Sequence, residues 1–228
     1  MIVGGFQKFS LIDYPGKISA VIFTRGCGFR CKYCHNPELI IPDRFGEKIP
    51  LSFVFDFLES RRGKLDAVTV SGGEPTEHKD LHSTIKEIKD MGFLVKLDTN
   101  GSNPDVLEEL IKKRLIDYIA MDIKAPYKKY KEITGVAVDY DKIKKSIKII
   151  MDSNVDYQFR TTVVKELISG KDLQDMAKDI AGANVYYLQK YKRSESLEST
   201  SKFTSYSEKE IEEMASHLEK YVKKCRIR

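Results

Sequence analysis

The sequence predicts an α/β protein built on a parallel sheet, and three observations carry that reading. Six short β-branched or aromatic segments recur along the chain, at residues 18–24, 67–70, 94–97, 118–121, 157–164 and 185–188. Between them lie stretches in which apolar residues repeat at helical spacing. Glycines and small polar residues gather where the segments end: Arg25-Gly26-Cys27, Ser71-Gly72-Gly73-Glu74-Pro75, Asp98-Thr99-Asn100-Gly101, Asp122-Ile123-Lys124 and Gln189-Lys190-Tyr191. Strand–helix alternation of this kind makes right-handed βαβ units, which place every strand end on one edge of the sheet, the edge where ligands bind.

Taken in order, the first segment holds Ala20-Val21-Ile22-Phe23, apolar throughout as a strand covered on both faces must be. A gap of 47 residues separates its centre, Val21, from the next at Val68, so an extra loop is inserted there. The centres Val68, Val95 and Ile119 then follow 27 and 24 residues apart, an ordinary βα repeat. Leu81, Ile85 and Ile88 predict one helix, Ile143, Ile147 and Ile150 a second, and Ile211, Met214, Leu218 and Val222 a terminal one. Ser207 with Glu210 three residues on is a capping box for that last helix. Six units are fewer than the eight of a closed barrel, and the spacing suits an open barrel or a flavodoxin-like open sheet equally. No repeat, low-complexity tract or linker divides the chain, so residues 1–228 are read as one domain.

Composition narrows the function. The chain has 228 residues, 41% hydrophobic and 32% charged, with 39 Lys and Arg against 34 Asp and Glu. The resulting charge of +5 is scattered and does not point to a nucleic-acid partner. No apolar run is long enough to span a membrane, and the opening residues lack the pattern of a secretory signal, so a cytoplasmic protein is expected.

Of four cysteines, Cys27, Cys31 and Cys34 lie within eight residues and Cys225 stands far off, in a basic tail. A disulfide framework would spread its cysteines, whereas clustered thiols read as metal ligands. Structural zinc usually takes four ligands, and His35, adjacent to Cys34, points away from it. Three thiolates suit a [4Fe–4S] cluster with one iron open to a small molecule.

Cys27-x3-Cys31-x2-Cys34, with aromatic Tyr33 inside it, resembles the motif of the radical S-adenosylmethionine enzymes. Gly72-Gly73-Glu74 is similar to the family segment that binds the methionyl amino group. Cys34-His35-Asn36-Pro37, Leu97-Asp98-Thr99-Asn100-Gly101 and Met121-Asp122-Ile123-Lys124 resemble the glycyl-radical-enzyme activases. The opening Phe9-Ser10-Leu11-Ile12-Asp13-Tyr14-Pro15-Gly16 looks most like the activators of anaerobic ribonucleoside-triphosphate reductase. The resemblance implies an open (β/α)6 partial TIM barrel with a [4Fe–4S] cluster at its mouth. S-adenosylmethionine would chelate the open iron and be cleaved reductively, and the resulting carbon radical would take hydrogen from a glycine of a partner enzyme.

The resemblance also assigns roles. Tyr33 would lie against the adenine, Gly72, Gly73 and Glu74 would meet the amino group, and Lys124 the ligand carboxylate. Arg160, a charge in a buried-looking strand, should have a partner in the ligand site. Asp98, Thr99 and Asp122, with a backbone carbonyl at Ala120, would hold a monovalent cation, or else Asp and Thr there simply cap helices. Too few cysteines remain for a second cluster, so the electron would come from an external low-potential donor. Residues 38–50 and 190–207, both polar, are the expected loops beside a broad mouth, one suited to a protein partner. An enzyme acting on a small molecule or a tRNA base, and a non-catalytic metal-binding module, are the competing readings.

Overall fold

In the computed structural model, which describes residues 1–192 and 202–228, a single eight-stranded sheet runs through the molecule. Its strands are β1 (Val3–Ser10), β2 (Ser19–Thr24), β3 (Ala67–Gly72), β4 (Leu94–Thr99), β5 (Tyr118–Asp122), β6 (Asp156–Val163), β7 (Tyr186–Lys190) and β8 (Cys225–Ile227). Strands lie side by side in the order of the chain, β1 antiparallel to β2 and all the others parallel. That order decides between the two architectures the spacing allowed. A flavodoxin-like sheet reverses its strand order at a switch point, whereas an order that never reverses keeps winding in one direction, as a barrel does. β1 and β8 are the two edges and do not pair, so the barrel is open.

The six expected strands are β2 to β7, and two more were not anticipated. β1 carries two glycines directly after Val3 and exposes Gln7, Lys8 and Phe9, so it lacks both an apolar run and clean alternation. β8 has only three residues, within what reads as a basic tail; Cys225 lies in it and is buried.

Among the described residues seven α-helices accompany the strands: α1 (Leu51–Glu59), α2 (Leu81–Asp90), α3 (Pro104–Lys112), α4 (Tyr130–Thr134), α5 (Tyr140–Met151), α6 (Gly170–Asp179) and α7 (Glu208–Leu218). α2 and α5 lie on their expected stripes, and α7 starts at the Ser207–Glu210 capping box; Val222 falls beyond its end. α6 has a second such box, Ser169 with Asp172.

The apolar core fills the layer between helices and sheet. Val68, Val70, Val95, Leu97, Ile119, Met121 and Phe159 pack there with Leu81, Ile85, Ile88, Leu107, Leu110, Ile143 and Ile147. Alternation along the strands turns the neighbouring residues inward, and many of those are polar: Thr69, Lys96, Asp98, Asp122, Gln158 and Arg160. The opening motif closes the barrel floor. β1 ends beside the start of β2, Ser10 against Ser19, and Tyr14 then buries itself against the ring of Tyr118, 5.7 Å between centroids. Phe9-Ser10-Leu11-Ile12-Asp13-Tyr14-Pro15-Gly16 therefore lies at the end opposite the cysteines. Among the described residues no helix is long and apolar enough to cross a membrane.

Candidate active site

At the C-terminal ends of the strands opens a cavity of about 220 Å³, lined by Cys27, Cys31, Cys34, Tyr33, Gly72, Gly73, Glu74, Asp98, Thr99, Asp122, Lys124 and Arg160. The residues proposed to hold the cluster and its ligand thus border one space, whereas Ala120, whose carbonyl was expected beside a cation, is not among its lining. His35, Asn36, Asn100 and Gln189 line it too.

The cysteine loop leaves β2 through Arg25 and is held from both sides. Gly26 donates its N–H to Leu39 O at 2.7 Å, and Glu74 donates its N–H to Gly26 O at 2.8 Å. Buried Arg25 lays its guanidinium over Phe45, 4.6 Å from the ring centroid, and donates to the carbonyls of Gly46 and Glu47 at 2.9 and 3.1 Å. Residues 38–50, expected as a polar loop, are polar and mostly exposed, but Leu39 and Ile40 are buried, Ile41, Phe45 and Ile49 are half-buried, and these side chains hold the segment beside the cysteine loop. Of the other expected loop, residues 193–201 lie outside the described part of the chain.

None of the three cysteines is in a disulfide. Burial pushes their thiols up, that of Cys27 to about 12 with Glu74 adding to the effect, and that of Cys31 to about 11. Cys27 Sγ accepts the Phe29 N–H at 3.4 Å and faces the Asn100 amide at 3.8 Å, the sort of donors that stabilise a thiolate ligand. Among the described residues no three Cys, His, Asp or Glu side chains converge as one metal ion requires. Thiols spread around one cavity suit a cluster, in which each thiolate takes its own iron.

The glycines after β3 are needed for the backbone rather than only for a ligand. Gly72 has φ +118°, and a Cβ there would come within 2.2 Å of Thr24 N; one on Gly73 would come within 1.8 Å of Gly26 O. The end of β3 is pressed against the root of the cysteine loop, so a side chain at either position would push the thiols away.

Glu74 is buried, and its carboxylate is already fully engaged. Oε1 accepts the Thr76 N–H at 3.1 Å and the hydroxyls of Thr76 at 2.5 Å and Thr99 at 2.8 Å; Oε2 accepts the Asn100 N–H at 2.7 Å. It braces two strand ends, and burial raises its pKa despite these donors. Tyr33 is buried in the core, its hydroxyl donating to Lys124 O at 3.3 Å, with one part of the residue reaching the cavity wall.

The charges form one network. Arg160 donates from Nε to Asp122 Oδ1 at 2.8 Å and from Nη1 to Asp98 Oδ2 at 3.1 Å. It thus has partners, as a buried charge must, but they are carboxylates of the protein. Asp122 and Arg160 are register neighbours on β5 and β6, and small Ala120 leaves the way to β4 open. Lys124 donates to Asp122 Oδ2 at 3.0 Å, and Lys96, almost wholly buried, pairs with Asp98. Burial pushes both Asp98 and Asp122 up, but Arg160 with Lys96 or Lys124 outweighs it and holds them below the usual carboxylate range.

The carboxylate oxygens of Asp98 and Asp122, expected around a monovalent cation, are therefore occupied by the protein's own cations. Thr99 Oγ1, the third of the set, donates to Glu74 and accepts the Gly101 N–H at 3.1 Å. The residues present do not fit that ion. Lys96 was missed in the sequence, although a lysine in the apolar run Leu94-Val95-Lys96-Leu97, two residues before an aspartate on the same strand face, is the same signal that singled out Arg160.

Comparison with known proteins adds the identity. Residues 21–180, most of the chain and all of the cavity except its β7 wall, match the Radical SAM superfamily. The chain belongs to that superfamily. A glycyl-radical enzyme activating enzyme of Methanocaldococcus jannaschii is 38% identical over 234 residues, spanning all of this chain and 95% of that protein, which places this radical SAM enzyme in the glycyl-radical enzyme activating branch. Pyruvate formate-lyase-activating enzyme of Clostridium pasteurianum is 34% identical over 59% of each chain. Among solved structures, a domain of pyruvate-formate lyase-activating enzyme from Bacteroides vulgatus aligns with TM-score 0.59 over 72% of this chain and 99% of that one, at 19% identity. Streptococcus suis SuiB, solved with S-adenosylmethionine, aligns with TM-score 0.71 over 91% of this chain and 49% of that one, at 15% identity. These last two share the fold, the partial TIM barrel expected from the sequence. Radical SAM enzymes use a [4Fe–4S] cluster and S-adenosylmethionine, and activating enzymes of this branch act on a glycyl-radical enzyme.

Proposed function

We propose that this radical SAM enzyme installs the glycyl radical on an anaerobic ribonucleoside-triphosphate reductase. The observation that carries this finer reading is the opening segment Phe9–Gly16, which is similar to that of the reductase activators and is built into the barrel floor through Tyr14. Cys27, Cys31 and Cys34 would hold the [4Fe–4S] cluster. The cluster and S-adenosylmethionine, once bound, supply a carbon radical able to take hydrogen from a glycine Cα. The chain's own part is positional. The 72–74 turn fixes the height of the cysteine loop, Lys124 and Arg160 offer positive charge to the ligand carboxylate, and Tyr33 closes the wall beside them. Asp98 and Asp122 orient those cations. Too few cysteines remain for a second cluster, so an external low-potential donor supplies the electron. We read residues 1–228 as one working unit and the cytoplasm as its compartment, where free thiols stay reduced.

A second reading, action on a small molecule or a tRNA base, draws on a GTP 3',8-cyclase of Methanococcus vannielii that is 34% identical over 54% of this chain and 41% of that protein. One experiment separates the two. The reconstituted enzyme, with S-adenosylmethionine and a strong reductant, is offered anaerobic ribonucleotide reductase, pyruvate formate-lyase and purine nucleotides in parallel. A stoichiometric glycyl radical by electron paramagnetic resonance on the reductase alone is expected. A radical only on the lyase would move the partner, and turnover of a nucleotide with no protein radical would overturn the proposal.

A further inference from the structure

We infer that the Lys96 ammonium occupies, in this protein, the place of a monovalent cation beneath the cofactor pocket, and that the site works without a bound alkali ion. Two carboxylates, Asp98 and Asp122, face three cationic side chains, Lys96, Lys124 and Arg160, so the network already carries one positive charge in excess. Glu74, the other carboxylate of the cavity, is satisfied by hydroxyls and backbone N–H groups and forms no ion pair. No acidic side chain of the cavity is left to offset a further cation; the other carboxylate that acts on Lys96, Asp13, lies on the barrel floor and accepts the Ser10 hydroxyl.

Geometry agrees. Each carboxylate oxygen is engaged: Asp98 Oδ1 by Lys96, Asp98 Oδ2 by Arg160 and by the Ser71 hydroxyl at 3.1 Å, Asp122 Oδ1 by Arg160, and Asp122 Oδ2 by Lys124. Lys96 reaches its place from below, inside the barrel, where its side chain is 1% exposed. A buried ammonium on a fixed stem cannot exchange with solvent, and it holds one edge of Asp98 while Arg160 holds the other. The aspartate therefore has one orientation, and Arg160 is aimed by it. The surplus positive charge falls on the cavity side, at Lys124 and Arg160, where it complements an anionic ligand group such as a carboxylate. Lys96 is on this account a positioning residue, acting on the pocket through Asp98.

The inference concerns the pocket and holds whichever glycyl-radical enzyme is the partner, so its test needs no partner. Cluster-loaded full-length protein is compared in NaCl, KCl and choline chloride at equal ionic strength, reading the unfolding midpoint and the Kd for S-adenosylmethionine. The wild type should show the same midpoint and, within about twofold, the same Kd in all three. Lys96→Met keeps the stem and removes the charge. It should melt lower by roughly 5 °C or more and bind S-adenosylmethionine about tenfold more weakly in choline, and NaCl or KCl should restore binding saturably. Such rescue is not expected of a lysine that merely fills space. A saturable gain in wild-type midpoint or affinity with Na⁺ or K⁺ would overturn the inference, even if Lys96→Met fails to fold. So would a folded Lys96→Met protein that binds S-adenosylmethionine as the parent does in choline.

Discussion

The carboxylate of Glu74 accepts the backbone N–H of Asn100 at 2.7 Å, joining the end of β3 to the end of β4 beside the cysteine loop. One residue thereby sets the relative height of two strand ends that border the cofactor cavity. Glu74→Gln would put an amide N–H₂ among donors and leave at least one of them unpaired in a buried place. A loss of about 2–3 kcal/mol in unfolding free energy is expected, checked by denaturant titration. Affinity for S-adenosylmethionine should fall with it. Unchanged stability would mean that the brace is dispensable.

The contact between Gly73 and Gly26 leads to a sharper expectation. A methyl group at residue 73 cannot stand 1.8 Å from Gly26 O, so Gly73→Ala must lift the loop that carries the three thiols. The far-ultraviolet circular dichroism should stay that of the parent, because the core lies elsewhere. Iron retained after anaerobic reconstitution should drop to less than about half of the parent's. Full retention would refute the coupling.

Among the cysteines, Cys27→Ala, Cys31→Ala and Cys34→Ala should each abolish the cluster, read as iron and sulfide content and the absorbance of the cubane. Cys225→Ala should leave it intact, since that thiol is buried in β8 and pushed up to about 12 by burial and by Glu219. In the cluster-free protein, alkylation of Cys27 and Cys31 should be slow at pH 7.5 and rise steadily toward pH 10, because only the thiolate reacts and burial holds both groups protonated. Fast labelling at neutral pH would contradict that.

Acid should loosen the charge network. Asp98 and Asp122 are held below the ordinary value of 3.8. The stability they contribute is complete above that value and is lost as pH falls below it, when the folded state must take up protons it resists. The unfolding midpoint should therefore drop steeply between about pH 4 and pH 2. Asp98→Asn, though less stable at pH 7, should show a shallower drop; equal slopes in parent and variant would show that other groups govern the acid response.

Much of this protein is legible in its sequence because the signals are local. Strands β2 to β7 and helices α2, α5 and α7 announce themselves by periodicity, the cysteines by spacing, and the strand-end motifs by glycine and small polar residues that any parallel α/β chain must bring to one edge. β1 and β8 escape that reading, one interrupted by glycine and exposed, the other three residues long, since pairing with a neighbour makes them strands. Whether six units wind into a barrel or a flat sheet also depends on strand order, which no spacing states. The roles of individual polar residues depend on folding most of all. Gly73 is needed because of Gly26, Arg160 is aimed by Asp98, 62 residues before it in the chain, and Lys96 takes the oxygen that an ion was expected to take. A side chain's chemistry can be read from its own identity. Its partner is fixed only when the sheet closes, because in a buried site a charge must find whichever opposite charge the fold brings within reach.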